Sequence, residues 1–562
     1  MNKKGISTLV IFTPELPRKN LDWWTQIKTV IAPRELEKEI PKNISFTAIE
    51  DFVQPGSIYD ATSLMRELSL LKLDDGRRLA KIFTYHGYEL WWMYCNSLFS
   101  YFCLPHTQYE KLLEHLKSFS KVYLYRSPYK NLFYHYLRAQ QIEVGIIRDR
   151  RFRILSLLPF GIFIQIFITL LSLPILVVKK RKFMIFIGDK FEKKQDYDFR
   201  MRFIYKELRQ RNLFFVEFIR SLESWKIVLQ HALFRKRPVI YSEAVAFLGH
   251  LASFFSYRKY EFKKNLKYIL HNEIKSDKKF KIYIASHYLV NVHNDIWSIR
   301  IMSWILKIIG IKSAFFAAAL DRNFHSFLGC KLNSIPTVGI LHGVASKNYN
   351  IYDFLPGFDG KEMISVDRYG LWSEWWKKYY LENTKAYRSE QLFVSGPMRP
   401  LEKRYDPIPL VKNKADFWEV LFVSEQLAVP EEVLPFLETL LNEKRIHVTI
   451  TFRQFRDGFK DWLLKNNPKI LQHPNLKIAS GSLQDAMKYI DVAVGTHSTA
   501  VLEALLVLKA PIFFQTNKWG DYYNIKSYDD NQSFFADDPS DLLKKIEAVK
   551  LVEREKLKNL QE

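Results

Sequence analysis

Cysteine is scarce in this chain. There are three in 562 residues, Cys95, Cys103 and Cys330, scattered along the sequence. That excludes a disulfide framework and a cysteine-built zinc site, and it fits a reducing, cytosolic environment. The GxxxxGK(S/T) phosphate loop, the GxSxG nucleophile elbow and every nucleic-acid module signature are missing as well, so none of those chemistries has its usual carrier. Internal repeats and low-complexity tracts are absent. The apolar run near the start, in MNKKGISTLVIFTPELP, is only about six residues, shorter than a secretory signal core of about 7–15. Thr8–Phe12 is expected as a first β-strand instead.

Negative charge is also in short supply. Asp plus Glu number 60 against 84 Lys plus Arg, for a formal charge of +24 and a pI near 9.5. Such a surface selects anionic partners: nucleic acid, an anionic membrane or phosphorylated substrates. Nucleic acid is not expected, because no recognition module accompanies the charge. A hydrophobic content of 48% and an aromatic content of 15% suffice for large cores, in roughly three or four domains.

Residues 1–147 read as a small α/β domain, with strands expected at Thr8–Phe12, Ser45–Ile49, Val122–Tyr125 and Glu143–Ile147 and helical segments at Tyr88–Leu104 and Gln108–Ser118. The aromatic crowding LWWMYCNSLFSYF suits a buried helix, or else a membrane-facing or sugar-stacking surface. Residues 148–182 follow. Ile154–Val178 carries no charge and is long enough to span a bilayer. Basic collars flank it on both sides: Arg148, Arg150, Arg151 and Arg153 before, Lys179, Lys180, Arg181 and Lys182 after. Symmetric collars give no orientation under the positive-inside rule. A re-entrant or in-plane element on the anionic cytoplasmic face is therefore expected, with a single span or a buried core helix as the alternatives.

Residues 183–365 alternate strands and helices, as in a Rossmann-like lobe. Strands are expected at Phe183–Gly188, Phe214–Ile219, Pro238–Tyr241, Lys281–Ala285, Ser313–Ala317 and Thr337–Leu341. The last leads into LHGV, which places His342 before Gly343 at the carboxyl end of a strand. A second such lobe is expected over 366–550, and a charged tail over 551–562. In that second lobe Glu419–Val423 ends in Ser424, Glu425 and Gln426, and His447–Phe452 ends in Arg453. The stretch YIDVAVGTHSTAVLEALLVLKAPIFFQTN reads as strand, polar turn, helix (Ala500–Leu508) and strand. Gly495 would give a tight exit from the strand, and Thr496, His497, Ser498 and Thr499 would set hydroxyls, an imidazole and free N–H groups at a helix start, a metal-free way to hold phosphate. Glu503 would accept hydrogen bonds from a ribose or base. The same spacing also suits a plain N-cap and a solvated glutamate.

Ser498, Thr499, Leu502, Glu503 and Ala504 in an STxxLEA pattern, Lys509–Pro511 after it, Asp491 before it and the LHGV turn together resemble the GT-B glycosyltransferases. More narrowly they are similar to bacterial capsule and polysialic acid glycosyltransferases and the related CDP-glycerol glycerophosphotransferases. The resemblance covers roughly residues 182–550. It implies two Rossmann-like lobes, a nucleotide-activated sugar as substrate, no cofactor and no metal, and a polysaccharide or lipid-linked acceptor at the cytoplasmic face of the membrane. It assigns His342 as catalytic base and sets Asp321, beside Arg322, as a second catalytic residue. Donor binding falls to Ser424, Glu425, Arg453, Thr496, His497, Ser498, Thr499 and Glu503. Relatives carry Lys-x-His-Pro where this chain has VTITFRQF, and Arg453 stands at about that place to supply positive charge. Three other functions share this outline: transfer from a CDP-alcohol, epimerisation at C2 of UDP-N-acetylglucosamine, and a non-catalytic scaffold on a degenerate GT-B fold.

Overall fold

A computed structural model describes residues 7–17, 26–54, 56–147, 158–179, 182–187, 202–219, 238–256, 276–316, 324–341, 352–359, 365–396, 417–425, 428–453, 457–480, 483–527, 532–549 and 554–561, with a few short pieces between them. Three parallel sheets organise these residues, and each begins with the same strand order, 3-2-1-4-5. That order reverses direction between strands 1 and 4, and ligands bind doubly wound sheets in the crevice the reversal opens at the carboxyl ends.

The first sheet contains Ser7–Ile11, Thr29–Ala32, Ser45–Ala48, Lys121–Tyr125 and Glu143–Ile147. Thr29–Ala32 is absent from the sequence expectation because four residues show too little alternation to register. The aromatic stretch after Glu89 is an irregular 3₁₀, α and π succession running into helix Leu104–Leu116. Trp91, Trp92, Phe99 and Phe102 are all buried, so the core reading of this stretch is the correct one.

The middle sheet has seven strands: Lys182–Ile187, Phe215–Ile219, Val239–Tyr241, Ile311–Phe316, Thr337–Ile340, Arg368–Leu371 and Leu392–Val394. The last two pair onward from Thr337–Ile340, so this lobe runs past residue 366, where the sequence divides the lobes. Lys281–Ala285, expected as a strand, lies inside helix Ser276–Leu289. Ile282 and Ile284 are both buried although about 200° apart around a helix. A helix covered on two faces thus imitates a strand's alternation.

The third sheet is built from Trp418–Val423, Ile446–Thr451, Leu476–Ile478, Val492–Gly495, Ala510–Phe514 and Phe535–Ala536, in the order 3-2-1-4-5-6. The segment expected as a charged tail contains helix Arg554–Gln561. It returns to the lobe, with Leu557 fully buried and the Gln561 amide donating to the Leu505 carbonyl at 2.8 Å.

Helix Leu158–Val178 lies against Val239–Tyr241, the edge strand of the middle sheet among the described residues. Gln165, Thr169, Ser172 and Leu176, one helical face, are buried. Thr169 Oγ1 accepts the Tyr241 N–H at 3.1 Å and Ser172 Oγ the Val239 N–H at 3.3 Å, so hydroxyls cap an edge strand that would otherwise be open. The opposite face is bare: Phe163, Phe167, Leu171 and Val178 are 60%, 61%, 57% and 80% exposed. The buried-core alternative therefore fails.

The first domain touches both lobes through helix Ile58–Leu70. At its start the Ile58 N–H donates to the Lys518 carbonyl at 3.1 Å and the Tyr59 hydroxyl to the Asp521 carbonyl at 2.5 Å. Toward its end Arg66 donates to the Lys347 carbonyl, and the Ser69 hydroxyl to the Pro356 carbonyl at 3.1 Å.

Candidate functional site

In the third sheet the direction reverses between Trp418–Val423 and Val492–Gly495. The residues leaving those strands are Ser424 and Glu425 on one side and Thr496 and His497 on the other. Arg453 follows the neighbouring strand Ile446–Thr451. The topology thus gathers five of the expected donor residues at one crevice.

Asp457, which sequence reasoning missed, ties one side together. It is buried and accepts from the Ser424 hydroxyl at 2.8 Å, the Arg453 N–H at 2.9 Å and the Lys460 N–H at 3.0 Å, the last as N-cap of helix Gly458–Asn466. Ser424 is thereby committed to structure. The Arg453 guanidinium donates to buried Glu425 at 3.0 Å, so part of its charge is already matched.

His497 forms the other side. Its Nδ1 lies 2.8 Å from Thr496 Oγ1, its carbonyl accepts from the Tyr523 hydroxyl at 2.5 Å, and its ring stacks on Trp519 with centroids 3.5 Å apart and planes 13° from parallel. The second ring nitrogen, Nε2, is buried without a hydrogen-bond partner among the described residues. Burial first, then the Lys518 and Arg453 cations, hold this imidazole well below the usual histidine range. The ring is therefore neutral at neutral pH, with one nitrogen that is buried and lacks a hydrogen bond. Leaving such a group unsatisfied costs about 1–3 kcal/mol, a cost that an incoming hydrogen-bonding oxygen removes. Glu425 also acts across the crevice: after burial, its charge is what raises the Tyr523 hydroxyl.

Two expectations change. The helix sought over Ala500–Leu508 is one α turn, Thr499–Leu502, then a 3₁₀ segment, Glu503–Val507, closed by Leu508 in the left-handed region at φ 54°. Ser498 caps it, accepting the Ala500 N–H at 3.3 Å. One turn aligns too few peptide dipoles to be an anion site by itself, so an anion held here would depend on side chains. Gly495 is needed for close approach: a Cβ there would lie 2.7 Å from Val501 Cγ2 and 3.2 Å from the Val423 carbonyl oxygen. Glu503 opens the 3₁₀ segment, half-buried. His342 and Asp321 lie outside the described residues.

Besides Asp457, the sequence reading missed Lys518, Trp519 and Tyr523. All three follow strand Ala510–Phe514 in the segment TNKWGDYY. A polar, aromatic stretch at the carboxyl end of a central strand was the available signal.

The strand orders define an α/β protein with two successive doubly wound lobes of the GT-B type, preceded by a smaller parallel domain. No family model matches the chain, and no curated protein sequence does. Among solved structures it is similar to a kitacinnamycin glycotransferase (TM-score 0.40, 10% identity, covering 68% of this chain and 94% of that one). It is also similar to Acinetobacter baumannii MurG (0.37, 10%, 68% and 93%) and to UDP-GlcNAc 2-epimerase from Methanocaldococcus jannaschii (0.37, 11%, 66% and 94%). The strand orders and the crevice carry the site.

Proposed function

We propose that the chain transfers a sugar from a nucleotide-activated donor to a polysaccharide or lipid-linked acceptor, with inversion at the anomeric carbon. The observation that carries this is the buried, unpartnered Nε2 of His497 at the third sheet's switch point, flanked by Lys518 and Arg453. With Nδ1 accepting from the Thr496 hydroxyl, Nε2 would carry the ring hydrogen and donate it to a donor phosphate oxygen, while the two cations would stabilise the charge that gathers on the leaving nucleotide. Trp519 and Tyr523 hold the ring in place. For the acceptor side, the resemblance supplies His342 and Asp321. Thermal unfolding with CMP-, CDP-, UDP- and GDP-linked sugars tests the reading. A ligand at one hundred times its dissociation constant contributes about 2.7 kcal/mol. One nucleotide class should raise the melting temperature of the wild type and leave His497→Ala unmoved. No shift with any of them sinks the transferase reading and favours the scaffold.

We further propose that the enzyme works at the cytoplasmic face of a membrane, resting on helix Leu158–Val178 without crossing. The support is the helix's two faces, one hydrogen-bonded to a sheet edge and one bare. Seating each exposed Phe or Leu in lipid contributes about 1 kcal/mol, roughly half the value for full burial, and each collar Lys or Arg adds about 1 kcal/mol on an anionic surface. Phe254 and Phe255, 66% and 85% exposed, end the neighbouring helix Ser242–Phe254, whose Phe247 ring lies 6.4 Å from Phe163. They extend the same apolar surface. The chain should sediment with phosphatidylglycerol vesicles, and a Phe163→Ser, Phe167→Ser, Leu171→Ser variant should stay in solution. Equal partition of both proteins overturns this.

A further inference from the structure

The middle sheet reverses between Lys182–Ile187 and Ile311–Phe316, and a histidine follows its fourth strand too. Helix Phe324–Leu332 takes up the chain after Ile311–Phe316, with His325 in its first turn. Helix Val292–Ile309 packs alongside, with Asp295 in its own first turn and Gly310 leading into the amino end of that strand. The two helices run parallel: Asp295 meets His325 at one end, and Asn333 donates to the Ser303 carbonyl at 2.9 Å toward the other. Asp295 and His325 therefore both stand at the carboxyl edge, where an open α/β sheet binds its ligand.

Their geometry is that of an oriented base. Asp295 Oδ1 is 3.0 Å from His325 Nε2, and the carboxylate also accepts from the Tyr94 hydroxyl of the first domain. The His250 ring of helix Ser242–Phe254 lies 3.9 Å away. Burial alone would raise this carboxyl; the His250 and His325 imidazoles and the Tyr94 hydroxyl together hold it well below the usual carboxylate range. A buried ionised carboxylate fixes the hydrogen on Nε2 and leaves Nδ1 as the acceptor nitrogen. The His325 side chain is 22% exposed against 10% for Asp295, so the pair opens to solvent on the histidine side.

We propose that His325, held by Asp295, is the proton acceptor of the middle lobe, and that Tyr94 is a positioning residue through which the first domain completes the site. The proposal rests on the transferase reading and moves the base from His342 to His325. As the acceptor oxygen bonds to the anomeric carbon, its proton passes to Nδ1. The bond from that carbon to the donor phosphate breaks, and the nucleotide leaves with the electron pair. Asp295 stabilises the imidazolium so formed.

The test is nucleotide release from CMP-, CDP-, UDP- and GDP-linked sugars by the full chain, with water or added oligosaccharide as acceptor, measured across pH 5–9 alongside the nucleotide-induced melting shift. His325→Gln keeps a donor for Asp295 and loses the base, so kcat should fall about 100-fold or more with the melting shift intact and the acid limb of the pH profile gone. Tyr94→Phe strips a hydrogen bond from the carboxylate and makes it a stronger partner for the imidazolium, so the acid limb should move to higher pH. A purely structural pair would alter the melting temperature and leave the acid limb in place in both variants, which overturns the proposal. His325→Gln turning over normally while His342→Gln does not also overturns it. Should the wild type release no nucleotide from any donor, the transferase reading fails first and takes this assignment with it.

Discussion

Gly520 is the position where one added carbon tests the contact between the first domain and the segment bearing Lys518 and Trp519. Its φ is +55°, and a Cβ built on it would lie 2.0 Å from Cε2 of Tyr59. An alanine there meets two penalties. The left-handed backbone disfavours it by about 1–2 kcal/mol, and the ring contact by about 1–3 kcal/mol, the range for overpacking. Tyr59 has little room to retreat, because its hydroxyl is anchored on the Asp521 carbonyl at 2.5 Å. Gly520→Ala should thus weaken local closure of this segment by about 2–5 kcal/mol. At about 1.4 kcal/mol per tenfold, hydrogen-exchange protection of residues 516–524 should drop at least ~30-fold, and the nucleotide-induced melting shift should shrink, since Lys518 and Trp519 sit on this segment. Adding Tyr59→Ala removes the ring and leaves only the backbone strain, so the double variant should recover about 1–3 kcal/mol relative to additivity. Unchanged protection in Gly520→Ala, or strict additivity in the pair, would refute the contact.

Asp353 offers a pH test. Burial pushes its carboxyl from 3.8 up to about 7, against an opposing hydrogen bond from Tyr387. The folded chain binds this proton more tightly than the unfolded chain, so the stability it contributes is complete below about pH 4 and is lost as pH rises through 7. Asp353→Asn should melt higher than wild type at pH 8 and close to it near pH 4; parallel curves would remove Asp353 as the cause. At Asp457, replacement by alanine orphans three donors, for an expected loss of about 2–4 kcal/mol, against about 1 kcal/mol for Ser424→Ala. Urea unfolding followed by Trp fluorescence reads both, and the reverse order would contradict the network.

Much of the scaffold was legible because these strands are short apolar runs, such as Val492–Gly495 and Ala510–Phe514, that end in polar or glycine-containing turns. Their tips, Ser424, Glu425, Arg453, Thr496 and His497, were legible as strand ends for the same reason, since residues leaving neighbouring parallel strands gather at one end of the sheet whatever surrounds them. What escaped depends on distance along the chain. Asp457 reaches back 33 residues to Ser424, and Asp295 meets His325 across 30; neither pairing leaves a local pattern. The helix containing Lys281–Ala285 escaped for another reason, because burial on two faces erased the 3.6-residue period.

Helix Ile58–Leu70 has 13 residues and a length of about 20 Å. It is a rigid rod pinned at one end to the segment bearing Lys518 and at the other to the backbone of Lys347 and Pro356. A hinge motion that parts the two lobes has to break one set of those pins or carry the rod along. Any motion that parts the lobes would therefore be registered in the first domain, and whatever grips that domain would also limit how far the lobes can part.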